Sequence, residues 1–181
     1  QKKFTNKTII KYLEKIPREI FVEKKFVDIC YNNIPLPVDC NQTTSQPLVI
    51  ANMIDSLNVK KTDLVLEIGT GTGYQTALLA HLCKQVYTIE IFNKLLNQAK
   101  FNIGKLEIAN VIYKLDNGIN GWEEKNFFDA IIVSAASEEI SSQLLQNLKI
   151  NGKLIFPKKY SLENQKLILI KKIGENTFKK K

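Results

Sequence analysis

One stretch limits what this chain can fold into: Leu64-Val65-Leu66-Glu67-Ile68-Gly69-Thr70-Gly71-Thr72-Gly73-Tyr74. Leu64, Val65, Leu66 and Ile68 form a short apolar run, the pattern of a parallel strand covered on both faces. Gly69, Gly71 and Gly73 follow at once. Glycines at alternate positions permit φ > 0 and remove Cβ atoms, so the backbone can turn sharply and a ligand can approach it. The stretch predicts a strand, a ligand-cradling turn and a helix, with a nucleotide-like cofactor as the natural occupant.

The spacing narrows the choice. A dinucleotide fingerprint reads Gly-x-Gly-x-x-Gly, whereas only Thr72 separates Gly71 from Gly73, and Glu67 stands two residues before Gly69. An acid at the strand end does not suit a pyrophosphate. It suits S-adenosylmethionine, which carries an ammonium and a sulfonium and no phosphate. The next apolar run, Val86-Tyr87-Thr88-Ile89, ends in Glu90, about 20 residues on, where a carboxylate can take the ribose hydroxyls.

Composition sets the frame. With 181 residues, 44% of them hydrophobic, the chain has material for one domain with a sizeable core. No apolar run approaches the ~20 residues of a membrane-spanning helix, and a cytoplasmic protein is expected. Cys30, Cys40 and Cys83 are isolated, without the spacing of a disulfide framework or a zinc site, so no metal is expected. The net charge of +8 invites a nucleic-acid partner, yet Arg18 is the only arginine among 26 basic residues. Arginine forks are the usual tools for base and phosphate recognition. A solvated lysine surface fits better, and no nucleic-acid partner is expected. His81, the only histidine, falls in an expected helix and reads as a packing or surface residue.

Taken in order, residues 5–16 carry Ile9, Ile10, Leu13 and Ile16 at helical spacing until Pro17 breaks the run. A second short helix is expected near Arg18. Residues 31–37 are turn-rich, and residues 39–47 are dense in small hydrogen-bonding side chains. Ser45 or Gln46 with Pro47 marks the start of a helix over residues 48–57; Ser45 either caps it or caps it and also meets a ligand. Helices follow at 74–82, 93–104 and 141–148, and strands at 110–115, 127–133, 152–156 and 165–173, the last two able to form a hairpin. Alternating strands and helices predict an α/β, doubly wound, mostly parallel sheet with an N-terminal helical extension and a C-terminal β-hairpin. Residues 1–58 read as a helical segment and substrate loop packed on the core, and residues 59–181 as the cofactor-binding α/β core, one domain overall. Residues 67–73, Glu90, Asp116 and the small residues 134–136 all fall at expected strand carboxyl ends, where such sheets bind ligands.

Four segments carry a family resemblance. Glu67-Ile68-Gly69-Thr70-Gly71-Thr72-Gly73-Tyr74-Gln75-Thr76 resembles the first cofactor motif of the class I, Rossmann-like methyltransferases. Pro17-Arg18-Glu19-Ile20-Phe21-Val22, Gln42-Thr43-Thr44-Ser45-Gln46-Pro47 and Phe128-Asp129-Ala130-Ile131-Ile132-Val133 with the alanines 135 and 136 resemble segments of the protein-L-isoaspartate O-methyltransferases. The resemblance implies S-adenosyl-L-methionine as cofactor and isoaspartyl-containing proteins and peptides as acceptors. It implies Ser45 as the active-site serine, with Gln42, Thr43 and Thr44 lining the meeting point of cofactor and substrate. Glu67, Gly69, Thr70, Gly71 and Gly73 would hold the methionine part, Glu90 the ribose, and Asp116 with Asn117 the adenine. Asp39-Cys40-Asn41 departs from the family's usual Gly-His-Gly. The first residue, Gln1, and the stop at Lys181 lead to the expectation of a trimmed polypeptide.

The implied acceptor, a free α-carboxylate, is ionised at neutral pH. No general base is then required, which fits a sequence with one histidine. The methyl ester would close to a succinimide, whose hydrolysis returns some normal aspartate. Alternatives are a class I methyltransferase with another acceptor, RNA or a small molecule, and a non-catalytic cofactor-binding relative. A monomer is expected.

Overall fold

The helical spacing of Ile9, Tyr12, Leu13 and Ile16 forms α1 (Lys7–Lys15), whose first turn is capped by Asn6 Oδ1 accepting from Thr8 N (3.1 Å) and Ile9 N (3.2 Å). Pro17 stops it, and the chain continues through two 3-10 turns, Arg18–Phe21 and Lys24–Ile29. The turn-rich stretch that follows is a small hairpin of β1 (Leu36–Val38) and β2 (Gln42–Thr44), which its sequence did not announce. Cys40 (φ 61) and Asn41 (φ 55) hold the left-handed backbone of its turn. Helix α2 (Pro47–Leu57) then starts with Gln46 at its N-cap and Pro47 in its first turn.

This computed structural model describes residues 4–161 and 164–180; Gln1 and Lys181 lie outside them. The buried runs become β3 (Leu64–Ile68), β4 (Gln85–Glu90), β5 (Val111–Leu115), β6 (Phe128–Val133) and β7 (Leu148–Lys159). Helices α3 (Tyr74–Ala80), α4 (Asn93–Gly104) and α5 (Ser142–Gln146) connect them. Strands β8 (Gln165–Gly174) and β9 (Thr177–Lys180) complete a seven-stranded sheet of order β5-β4-β3-β6-β7-β8-β9. The first five are mutually parallel, and β7–β8–β9 are antiparallel. The expected α/β doubly wound sheet with its C-terminal hairpin is therefore the observed fold. Strand β9 extends that hairpin, and β7 is longer than expected at both ends.

Apolar residues cover both faces. One core holds Ile9, Ile54, Val65, Leu78, Val86 and Ile132 beneath α1, α2 and α3. The other holds Leu66, Ile89, Phe128, Ile131, Leu154 and Ile170. Period-2 alternation along the strands divides the residues between them, except at Phe128, which lies across a register shift from Ala130 and joins the second core. Among the described residues no helix is long and apolar enough to cross a membrane. The order of β4 and β5 to one side of β3 and β6 and β7 to the other opens a crevice at the carboxyl ends of β3 and β6.

Phe128, fully buried, packs its ring edge-on to Tyr87, Phe127 and Trp122, with centroids 5.3, 5.1 and 6.4 Å apart. Removing it would leave a cavity those rings cannot collapse into. Phe128→Ala is expected to lower stability by about 3–5 kcal/mol, read as a drop in the urea midpoint with the slope kept.

Candidate active site

Backbone bonds fix where each segment leaves the sheet. Gly69 N donates to Ile89 O (2.8 Å), Ser134 N to Ile68 O (2.9 Å) and Asp116 N to Glu90 O (3.1 Å). Beyond them the segments part around a cavity of about 890 Å³, roomy enough for a nucleoside-sized cofactor together with part of a second ligand. The glycine turn, the Glu90–Phe92 corner, Asn117 with Gly118, and residues 134–137 form its sheet side. Gln42, Thr43, Thr44 and Ser45 close it from the hairpin side. Sequence-distant segments thus share one cavity.

Gly71 shows why glycine is needed. Its φ is +56, and a Cβ built there meets no protein atom within 4 Å, so a side chain would enter space that the turn leaves open. Its amide donates to Glu90 Oε2 (2.8 Å). Glu90 Oε1 accepts from Ile91 N (2.9 Å) and Phe92 N (3.0 Å). With three of about four lone-pair sites engaged, this almost buried carboxylate keeps capacity for one hydroxyl and borders the cavity. Phe92 and Ile91 offer an apolar wall beside it. A donor and acceptor set of this kind, with backbone held open at Gly71, fits a nucleoside bearing ribose hydroxyls and a flat base.

Three predicted residues stand elsewhere. Glu67 does not face the cavity: strand alternation turns it under α3, where it is fully buried. Its carboxylate accepts from Gln75 Nε2 (2.9 Å), Thr76 Oγ1 (2.5 Å) and Thr88 Oγ1 (2.7 Å). Gln75 Nε2 also donates to Ser134 Oγ (2.8 Å), so Glu67 reaches the cavity wall only through Gln75. Gly73 is likewise behind the lining; its φ is +96, and a Cβ would lie 3.0 Å from Ile103 Cδ1 and 3.2 Å from Ala99 Cβ. It lets α3 start against α4. Asp116 sits behind Asn117, accepting from Asn117 N (2.7 Å) and pairing with Lys114 Nζ (3.2 Å); that amide and then Lys114 hold its carboxyl below the usual range.

Ser45 is not a cap, since Gln46 takes the N-cap position and makes no side-chain cap bond. Its carbonyl accepts from Arg18 Nη2 (3.1 Å), and its hydroxyl has no hydrogen-bond partner among the described residues. His81 stacks on Tyr12 with ring centroids 5.0 Å apart, as a packing residue. Gln75, Ile91 and Phe92 line the cavity without having been singled out from the sequence. Their only signal was position: Gln75 in the first turn after the glycines, and Ile91 and Phe92 directly after Glu90.

Burial pushes the Glu67 carboxyl from 4.5 up to about 7, against the hydrogen bonds from Thr76, Thr88 and Gln75, with nearby Glu90 adding to the rise. A folded value above the unfolded one means that folding favours the protonated acid. The associated stability is complete below about 4.5 and is lost as pH rises through about 7. Glu67→Gln cannot titrate, so its melting temperature relative to the parent chain is expected to increase between pH 5 and pH 7.5. A calorimetric difference that stays flat over that range would contradict the assignment.

Comparison with known proteins places these features in a family context. The family model described as Protein-L-isoaspartate(D-aspartate) O-methyltransferase (PCMT) matches residues 1–181. A protein-L-isoaspartate O-methyltransferase of Syntrophus aciditrophicus is 45% identical over 152 residues, covering 84% of this chain and 70% of the relative. That of Dictyoglomus turgidum is 47% identical over 143 residues, covering 79% of this chain and 65% of the relative. Among solved structures, a protein-L-isoaspartate O-methyltransferase superposes with TM-score 0.83 at 31% identity, over 92% of this chain and 56% of that one. A Plasmodium falciparum protein described as a protein-L-isoaspartate O-methyltransferase, in complex with S-adenosyl-L-homocysteine, gives TM-score 0.82 at 25% identity, over 98% of this chain and 87% of that one. The chain spans roughly two thirds of the curated relatives' length and little more than half of the first of these structures.

Proposed function

Because this chain belongs to the protein-L-isoaspartate(D-aspartate) O-methyltransferase family, we propose that it methylates the free α-carboxylate of L-isoaspartyl residues in damaged proteins and peptides, with S-adenosyl-L-methionine as cofactor. The observation that carries this reading is the single cavity shared by the glycine turn, the Glu90–Phe92 corner and residues 42–45. The solved complex of the Plasmodium relative with S-adenosyl-L-homocysteine supports the same cofactor.

The cofactor supplies an electrophilic methyl group on its sulfonium. In this reading Glu90 receives a ribose hydroxyl, Asn117 and Gly118 flank the base opposite Phe92, and Gly69, Thr70 and Gly71 border the methionine part. Glu67 acts at one remove, by orienting Gln75, and Asp116 likewise acts through Asn117. Ser45 offers its unpartnered hydroxyl to the acceptor carboxylate. That carboxylate is already ionised, so the residues are needed for alignment and exclusion of water and not for proton removal. Residues 1–58 serve as the acceptor-side wall and residues 59–181 as the cofactor-binding core. The reading is of a cytoplasmic monomer, and the presence of one arginine among 26 basic residues speaks against a nucleic-acid partner.

The deciding assay is methyl transfer from radiolabelled S-adenosylmethionine to matched isoaspartyl and aspartyl peptides, scored as base-labile methanol. Label on the isoaspartyl peptide alone is expected; label on neither, with cofactor bound in calorimetry, would favour a different acceptor or a binding-only relative. Ser45→Ala is expected to slow methylation about ten- to a hundredfold, the loss of a hydrogen bond to a charged group, while cofactor affinity is kept. Glu90→Ala is expected to weaken cofactor binding first, seen as a raised Kd.

A further inference from the structure

The only arginine of the chain is also among its most deeply buried side chains, with Arg18 1% exposed. Buried guanidinium groups normally meet a carboxylate. Arg18 meets none among the described residues. Its Nη2 donates to Thr44 Oγ1 (3.1 Å) and to Ser45 O (3.1 Å). Its Nη1 donates to Cys30 O and lies 3.5 Å from Asn32 O. Its Nε has no partner. The guanidinium carbon stands 5.5 Å from the ring centroid of Tyr74, a residue of the cavity wall. Nearby Glu19 is engaged with the Tyr31 hydroxyl. A desolvated positive charge, bonded to neutral oxygens only, thus sits directly behind Thr44 and Ser45.

We propose that Arg18 is a positioning residue for the acceptor: its fork fixes Thr44 and Ser45, and its uncompensated charge favours a carboxylate in front of them. The proposal rests on the methyl-transfer reading and deepens it. The two roles separate on substitution. Lysine keeps a charge but has no planar fork, whereas glutamine loses the charge.

The test compares parent chain, Arg18→Lys and Arg18→Gln with an isoaspartyl peptide, recording kcat, KM and the Kd of S-adenosylhomocysteine. Arg18→Lys is expected to lower kcat about tenfold with KM within about twofold, the size of one charge-assisted hydrogen bond. Arg18→Gln is expected to raise KM about tenfold as well, with the Kd of S-adenosylhomocysteine kept in both. Equal kinetics for the two variants, or parent-like kinetics in either, would overturn the proposal. Should Arg18→Gln fail to fold, Thr44→Val removes the Nη2–Oγ1 bond (3.1 Å) together with the longer bond from Leu36 N (3.4 Å); a severalfold fall in kcat supports the fork, and an unchanged kcat overturns it. A parent chain that leaves the peptide unmethylated refutes the methyl-transfer reading instead. Hydrogen exchange over residues 36–45 then still decides the clamp: faster exchange in Arg18→Lys supports it, and unchanged exchange refutes it.

Discussion

The site depends on β3 being held from both sides. Parallel pairing to β4 and to β6 fixes Ile68 opposite Ile89 and Val133, and the same ladders continue for one bond into the loops at Gly69 and Ser134. An interior strand has no edge along which its register could slip without exposing a buried face. Its end is therefore a fixed point from which the glycine turn departs. The crevice is a consequence of strand order, because connections leave β3 and β6 in opposite directions.

Around that fixed point the polar groups are arranged in two depths. Glu90, Ser45 and the Gly71 backbone border the cavity, whereas Glu67, Asp116 and Arg18 stand behind a neighbour that does. Of these Glu67 and Arg18 are buried, where an unpartnered charge is most costly, and both are tied down, Glu67 by three donors and Arg18 by carbonyls and a hydroxyl, while the partly exposed Asp116 is held by an amide and Lys114. Hydrogen-bonded buried groups such as the Glu67 carboxylate rigidify what they touch. The Gln75 amide, bonded to both Glu67 and Ser134, links the two depths across neighbouring strands. The N-terminal block contributes in the same way, since a buried Arg18 carries its 3-10 turn onto the hairpin that closes the cavity.

The hairpin of β1 and β2 shows where reading a sequence stops. Its strands are three residues each, too short for alternation to register, and Cys40 and Asn41 occupy positive-φ positions without a glycine to mark them. Strand β9 was missed for a related reason: four residues, three of them largely exposed, present no apolar face. The helix at 93–104 was legible to the residue because it starts after an acid-terminated strand and ends at glycine.

The amino-acid sequence by itself determined the order of the strands and helices from β3 to β8, the sharp turn after β3 and the set of segments at the strand ends, because hydrophobic period and glycine placement are local properties. It also carried the family resemblance. What only the tertiary structure decided is which of those residues face the cavity. Glu67, Gly73 and Asp116 have the right types at the right positions, yet alternation and helix packing turn them away from it. Arg18, by contrast, gave no local sign of standing behind Ser45, a relation across 27 positions. Direction and burial arise from packing between distant segments, and no window of sequence contains both partners.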